Sequence, residues 1–306
     1  MTPSQPIRAA QATPDPAPEI ARRAADEFVR RIGKRRAAAG APVRNVFVSA
    51  LGDEVPPLAA LLRGGGRGGV VRLKLYLSLL WVCAASPYQA SYPARAWAAL
   101  FGLPDYETKG VRRIQEATRD LVDHQFITAQ DRGGKPSMLT LLDESGSGEA
   151  YIPPSDSYNN LAARKAPLEV LQRHRYFKIP SWIWTDGYMA RLSGPGLAML
   201  LVLHEEQRGQ TGREVWFTPQ LANDRFKLAG STRTAGLKEL RDLGLARTRK
   251  TVVSHDGSFI NFHRRRNVHA LIDKASPASD PGLPPSVSQL LNMVSKHPGG
   301  ARPPRP

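Results

Sequence analysis

The chain has 306 residues, a single cysteine and a formal net charge of +16 at pH 7. This length allows two domains with cores of their own, and one cysteine excludes a disulfide framework within the monomer. The positive charge predicts an acidic partner, most simply nucleic acid, although GC-rich coding also favours arginine.

The apolar segments predict a cytoplasmic protein without a membrane partner. No basic-then-apolar segment opens the chain, so no secretory signal is expected. The longest apolar run, around Leu75 to Ala85, is too short to span a bilayer. Cys83 lies inside this run, which predicts a buried structural thiol and not a nucleophile or a metal ligand.

The N-terminal part changes character along its length. Residues 1–18 are rich in proline, alanine and glutamine, a composition that predicts disorder. Residues 19–44 predict a basic helix, which is either an arm along a phosphate backbone or an amphipathic helix packed on the domain. Residues 45–69 are predicted to form a loop that ends in GGGRGG. This run lacks the Gly-Lys-Ser/Thr ending of a phosphate-cradling loop.

Residues 70–143 predict a first module of three helices and a hairpin. An apolar helix-like run comes first, followed by two further helical segments and a short hairpin with Gly133-Gly134 at its tip. The third helix has an apolar inner stripe that continues into the hairpin, made by Ile114, Ala117, Leu121 and Phe126. Pro104 and Asp105 lengthen the turn before that helix, which weakens the helix-turn-helix pattern here.

Residues 144–175 are predicted to be a linker that is partly packed. The acidic pairs Asp105/Glu107 and Asp143/Glu144 fall in predicted turns, where capping explains them better than acid–base catalysis. Farther on, Trp182 and Trp184 alternate as in a strand or an extended segment. They are predicted to pack against the first helix of a second module.

The most informative pattern covers residues 217–266, which predict helix, tight turn, second helix and hairpin. Ser231 or Thr232 is expected to cap the second helix, because a hydroxyl accepts hydrogen bonds from free backbone N–H groups. The leucines at positions 237, 240 and 243 lie on one helical face and are expected to point into a core. Gly244 follows where a helix commonly ends.

The hairpin after Gly244 is predicted from alternation and from a turn dipeptide. Leu245 to Val253 alternates as a strand, Asp256-Gly257 favours a type I′ turn, and Ser258 to His263 returns as the partner strand. Arginines cluster on the two strands and just after them, which codon bias alone does not explain. A solvated basic edge that protects the sheet from pairing remains the alternative.

This order of parts resembles the winged helix-turn-helix superfamily of bacterial DNA-binding proteins. The resemblance rests on LANDRFKL (Leu221 to Leu228), the turn Ala229-Gly230 and STRTAGLKELRDLGLA (Ser231 to Ala246). It covers residues 176–272 well and residues 70–143 more loosely. It implies a mainly α fold with small β-hairpin wings (α+β), two tandem winged-helix domains, and disordered ends that include the Pro-rich tail 273–306.

The resemblance also implies which residues contact DNA, because such modules lay one helix in the major groove and a hairpin beside it. The candidate residues on the recognition helix are Ser231, Thr232, Arg233, Thr234 and Lys238. The candidates on the second hairpin are Arg247, Arg249, Lys250, Arg264, Arg265 and Arg266. The weaker candidates in the first module are Lys109, Arg112, Arg113, Arg119, Arg132 and Lys135. Arg233 departs from the pattern, because such helices usually carry an apolar residue there.

Double-stranded DNA is therefore the expected partner, and three roles remain open. The favoured role is a nucleoid-associated, sequence-specific transcription regulator, and the alternative is a replication initiator of a plasmid or mobile element that binds origin repeats. From another class, tandem winged helices also resemble protein-interaction subunits of chromosome-organising complexes, although the basic helix and wing argue against this role. No enzymatic activity, cofactor or metal is expected, since the seven histidines are scattered. A homodimer is left open.

Overall fold

The computed structural model describes residues 18–63, 66–210, 212–252 and 265–272. Within these ranges the chain is mainly helical, and its strands form three small antiparallel sheets. This confirms the predicted mixed α+β class. The ends predicted to be disordered, residues 1–18 and 273–306, lie outside the described residues apart from position 18.

The N-terminal region packs on the rest of the molecule. Its elements are α1 (Glu19–Ile32), α2 (Lys34–Ala38), β1 (Ala41–Arg44), α3 (Asn45–Val48) and α4 (Pro57–Leu62). The apolar stripe of α1 buries Phe28, whose ring lies 4.7 Å from that of Trp97 between centroids. The basic helix is therefore packed and is not a free arm. The loop predicted over residues 45–69 is wrong, because Phe47 and Leu61 are fully buried by short helices there.

The first module runs from the fifth helix to the fourth strand. Its elements are α5 (Gly66–Val82), β2 (Gln89–Ala90), α6 (Ala94–Leu100), α7 (Lys109–Asp123), β3 (Ile127–Gln130) and β4 (Met138–Leu141). The sheet order is β2-β4-β3. Helix α5 begins before the predicted position 70, inside the glycine run. A Cβ at Gly69 would lie 3.1 Å from the carbonyl oxygen of Leu61, so glycine allows α4 and α5 to approach closely.

Several predictions for the first module are confirmed. The inner stripe of α7 is buried, and Cys83 is buried as well. Burial raises the pKa of the Cys83 thiol to about 12, which suits a structural and unreactive group. Gly133 and Gly134 both have positive φ angles between β3 and β4, as the tip of a hairpin requires.

The predicted linker over residues 144–175 is more ordered than a linker. It contains α8 (Pro154–Ala163) and α9 (Leu168–Arg173). The Glu144 side chain is fully buried in an ion pair with Arg44, whose Nη2 also donates to the carbonyl oxygen of Ile152 at 2.6 Å. Burial raises the pKa of Glu144 to about 7 despite this partner. Capping explains Asp143, which accepts from the Ser145 backbone N–H, but it does not explain Glu144.

The next segment contains β5 (Tyr176–Ile179), α10 (Trp182–Thr185) and α11 (Tyr188–Arg191). Strand β5 pairs antiparallel with β1, with Ala41 opposite Ile179. The extended conformation predicted for Trp182 and Trp184 is wrong, because both lie in α10. The Trp184 indole stacks on Trp81 of the first module, with ring centroids 4.9 Å apart.

The second module repeats the order of the first. Its elements are α12 (Gly194–Gln207), α13 (Pro219–Phe226), α14 (Gly230–Asp242), β6 (Ala246–Val252) and β7 (Arg265–Leu271). Val215, between α12 and α13, bridges His269 of β7 and occupies the place that β2 has in the first module. Both modules therefore have the order helix, extended segment, helix, helix, strand, strand. The extended segment is β2 in the first module and the single bridge residue Val215 in the second, and it pairs with the last strand in each.

The two modules share one core. Their buried apolar residues form a single cluster that also includes residues of α1, β1, α3 and α4. Across the junction, Trp184 Nε1 donates to Ser78 Oγ at 2.8 Å, and Lys74 Nζ donates to the Ala190 carbonyl oxygen at 3.1 Å. Ser49 Oγ also donates to buried Glu205. The modules are consequently packed together and are not separated by a flexible connection.

Candidate nucleic-acid interface

Helix α14 begins earlier than the sequence predicts. Its first residue is Gly230, and Ala229 precedes it without any side-chain cap. The predicted cap at Ser231 or Thr232 is therefore wrong, since both residues lie within the first turn. Thr218 caps the preceding helix α13 instead, where its Oγ1 accepts from the Leu221 backbone N–H at 3.1 Å.

Close packing against α12 fixes the position of α14. A Cβ at Gly236 would overlap the carbonyl oxygen of Pro195, so the two helices touch at backbone distance. Glu239 accepts hydrogen bonds from the backbone N–H and the hydroxyl of Ser193, which precedes α12. Leu240 is fully buried, and the neighbouring leucines of the stripe are partly buried against the core. The predicted inner face is thus confirmed.

The outer face of α14 exposes a polar row. Ser231, Thr234 and Lys238 are exposed, whereas Thr232 is partly buried. Lys238 forms an ion pair with Asp242 at 2.6 Å. Arg241 continues the row and was missed from the sequence, although the spacing 231, 234, 238, 241 places all four positions on one helical face.

Arg233 connects the two helices of the motif. Its guanidinium donates to the carbonyl oxygen of Leu228 at 2.6 Å and to that of Pro219 at 3.3 Å. These carbonyls belong to the turn and to α13, so the side chain points back across the helix-turn-helix. The predicted DNA contact by Arg233 is not available in this conformation, and its side chain holds α13 against α14.

The second hairpin agrees with the prediction in its first strand only. Strand β6 matches the predicted Leu245 to Val253, whereas the Asp256-Gly257 turn and the Ser258 to His263 strand lie outside the described residues. The described partner strand begins at Arg265, opposite Val252. Arg265 and Arg266 therefore open the second strand and do not follow it, and Arg264 lies outside the described residues.

The basic residues of this hairpin differ in their partners. Arg249 forms a two-point ion pair with Glu214, with Nη2 to Oε2 at 2.6 Å, and this hydrogen bonding lowers the pKa of Glu214. Arg247, Lys250 and Arg265 are exposed and form no ion pair with a carboxylate of the described residues. They are the side chains of the hairpin that are ready to meet an anion.

A tryptophan lies beside the hairpin. The Arg266 guanidinium carbon stands 4.2 Å from the ring centroid of Trp216, a cation–π arrangement. Trp216 is 47% exposed. Neither Trp216 nor Glu214 was predicted from the sequence, because they contact the hairpin from the segment around Val215, which is distant from it in sequence.

The corresponding helix of the first module, α7, carries more charges of both signs than α14. Helix α7 carries four basic and three acidic residues, and Arg112 pairs with Glu116 at 3.0 Å. Lys109 is exposed, while Arg113 is partly buried. Arg119 and Lys135 line a groove of about 620 Å³ between α7 and the β3–β4 hairpin. Of the weaker candidates, Arg112 is therefore neutralised by an ion pair, whereas Lys109, Arg119 and Lys135 are exposed.

No protein-family model, no curated protein and no solved structure matches this chain. In the part of the chain that the structure describes, no three His, Cys, Asp or Glu side chains gather where they would hold a metal ion. None of the helices in that part is both long and apolar enough to cross a bilayer. The interface is therefore interpreted from its own geometry.

Proposed function

We propose that this chain binds double-stranded DNA through two tandem winged-helix modules. The observation that carries the proposal is the repetition of one order of helices and hairpin, with a three-stranded sheet in the first repeat and two strands plus the Val215 bridge in the second. In each repeat the last helix before the hairpin exposes polar side chains, and the hairpin carries basic residues. This combination suits a helix in the major groove with a hairpin on the phosphate backbone.

In the second module, contacts to bases and contacts to phosphates fall on different elements. Ser231, Thr234 and Lys238 face outward from α14 and are the proposed base readers. Arg247 and Lys250 extend from the hairpin and are proposed to hold phosphates, which fix the register and supply affinity. Arg249 contributes less to the affinity than its position in the sequence suggests, because Glu214 neutralises it.

A sequence-specific transcription regulator is the favoured role, and the nucleoid is its proposed location. The shared core supports a second candidate, a replication initiator of a plasmid or mobile element. Because Trp81 and Trp184 stack across the junction, the two exposed helices are held at one separation. A fixed separation suits DNA in which repeats recur at a constant spacing, as in an origin with iterated sites.

Two measurements test the proposal. Fluorescence anisotropy with a labelled duplex of about 30 base pairs, titrated at several salt concentrations, should show binding that weakens steeply with salt. Chromatin immunoprecipitation then separates the roles: scattered promoters support a regulator, and one cluster of repeats supports an initiator. Absence of salt-dependent duplex binding would instead favour a protein-interaction subunit.

A further inference from the structure

A polar cleft of about 430 Å³ lies at the surface between the N-terminal helices α1 and α2 and the β2 segment of the first module. Arg31 and Arg36 line it from α1 and α2, and Gln89, Ser91 and Tyr92 line it from β2 and the residues that follow. Among the residues that the structure describes, no Asp or Glu lines this cleft. Its lining therefore offers hydrogen-bond donors and positive charge to a ligand.

The two arginines of the cleft differ in how far they are already neutralised. Arg31 donates to Glu27 at 2.6 Å, but Arg30 donates to the same carboxylate, so two positive charges share one negative charge. Both arginines lower the pKa of Glu27. Arg36 is exposed and forms no ion pair with a carboxylate of the described residues. The cleft therefore carries an excess of positive charge.

A third arginine, in the loop of the β3–β4 hairpin, contacts a residue that lines the cleft. Arg132 Nη1 donates to the Ser91 hydroxyl oxygen at 3.2 Å, and that hydroxyl donates to the Pro136 carbonyl oxygen at 2.8 Å. Ser91 thus fastens the loop of the hairpin to the edge of the cleft. Arg36 lines the cleft directly, whereas Arg132 is connected to it through Ser91.

The scaffold behind these side chains is rigid. Phe28 of α1 packs against Tyr92 with ring centroids 4.5 Å apart, and Trp81 Nε1 donates to the Ala37 carbonyl oxygen at 2.9 Å. The second contact fixes the end of α2 directly after Arg36. Arg31 and Arg36 are consequently presented by packed helices, which lowers the entropy lost when they bind an anion.

We propose that this cleft binds a phosphate of the DNA backbone and extends the DNA-binding surface onto the N-terminal helices. Arg36 and Arg132 supply charge-assisted hydrogen bonds, and the Gln89 amide supplies a neutral donor. Tyr92 also lines the groove that Arg119 and Lys135 line, so the cleft and this groove adjoin at Tyr92. This inference rests on the proposed function.

Adjacent residues of α2 provide a matched test. Arg35 and Arg36 are both exposed arginines, but only Arg36 lines the cleft. We expect Arg36→Ala and Arg132→Ala each to reduce the salt slope of duplex binding by about 0.9, the contribution of one phosphate contact. At about 0.1 M salt this corresponds to roughly eightfold weaker binding. Arg35→Ala should leave both the slope and the affinity within about twofold of the unsubstituted chain.

The anisotropy assay above, on the full chain, gives three outcomes. Larger effects of Arg36→Ala and Arg132→Ala than of Arg35→Ala support the cleft as a phosphate site. Equal effects of Arg35→Ala and Arg36→Ala would show only diffuse attraction by a basic surface and would overturn the site while leaving the proposed function intact. If the unsubstituted chain binds no duplex, the proposed function fails and the site fails with it. Unchanged thermal unfolding midpoints exclude misfolding, since all three side chains are exposed.

Discussion

The ion pair between Arg249 and Glu214 limits what the second hairpin contributes to DNA binding. The two side chains meet at two points, and Glu214 is only 25% exposed while Arg249 is 60% exposed. A phosphate that binds Arg249 must either displace the Glu214 carboxylate or bind beside it and be repelled by its negative charge. We therefore predict that Glu214→Gln strengthens duplex binding. Removing one partner of an ion pair that spans an interface usually weakens binding, but Glu214 pairs with Arg249 within the same chain.

The size of this effect follows from counterion release. Removing the Glu214 charge frees one arginine for one phosphate, which should increase the salt slope by up to about 0.9. At about 0.1 M salt this corresponds to at most roughly eightfold tighter binding. For the same reason, Arg249→Ala should weaken binding less than Lys250→Ala, which removes a charge that has no ion pair with a carboxylate of the described residues.

The assay is anisotropy with one duplex between about 50 and 200 mM salt. Glu169→Gln is the matched control, because Glu169 is an exposed glutamate on α9, away from the hairpin. Glu214→Gln should exceed this control in both affinity and slope. The reasoning is refuted if Glu214→Gln binds no better than the control, or if Arg249→Ala is as harmful as Lys250→Ala.

Three further predictions concern the scaffold and the exposed helix. Gly236→Ala should lower the free energy of unfolding, measured by denaturant titration, by about 1–3 kcal/mol, because the added methyl overlaps a backbone carbonyl of α12. Gly230→Ala is the control and should change this free energy little, because only the end of a flexible side chain lies within 4 Å of the added methyl. Glu144→Gln should lower the free energy of unfolding by up to about 3 kcal/mol, because the buried Arg44 keeps only the more distant Asp143 carboxylate, whose Oδ2 lies 3.5 Å from its Nη1. Replacing Arg44 and Glu144 together by methionine should restore part of this loss, and equal stability of the single and double variants would contradict this. Lys238→Ala should change the ratio of the affinities for two duplex sequences, whereas Lys250→Ala should weaken the binding of both duplexes by the same factor. Equal affinity ratios for the two variants in competition anisotropy would contradict the assignment of Lys238 to bases and Lys250 to phosphates.

Local patterns predicted the parts of the fold that depend on neighbours in sequence. The inner leucines of α14 lie three residues apart, and the alternation over β6 spans seven residues, so both follow from short-range periodicity. The start of α14 was misplaced because the preference for a hydroxyl at the cap favours Ser231 or Thr232. The helix instead begins at Gly230, after Ala229, whose side chain cannot cap it.

Contacts between distant residues could not be predicted in this way. Arg44 and Glu144 are 100 residues apart in sequence, and nothing in either local segment marks the other as its partner. The same holds for Trp81 and Trp184, whose stacking joins the modules. The sequence therefore indicated two modules and a linker, but it did not indicate that they share a core.

Arg233 shows how a departure from a family pattern carries structural information. An apolar residue at this position would stabilise the contact between α13 and α14 only by burying apolar surface. Arg233 reaches the same interface and satisfies two carbonyl oxygens there, Leu228 in the turn and Pro219 at the start of α13. Only the Leu228 carbonyl lies in the turn and lacks a helical partner, so its hydrogen bond with Arg233 stabilises the turn itself.

The shared core also changes what DNA the two modules can contact together. With a flexible linker, the second module would bind by effective concentration and would tolerate many spacings. Here the Trp81–Trp184 stack and the Lys74 contact to α11 hold α7 and α14 in one arrangement. Inserting base pairs between the two contacted segments would rotate and shift one of them relative to its helix. On the proposed function, the target must therefore have a fixed internal spacing, which is a stricter requirement than the presence of two separate sites.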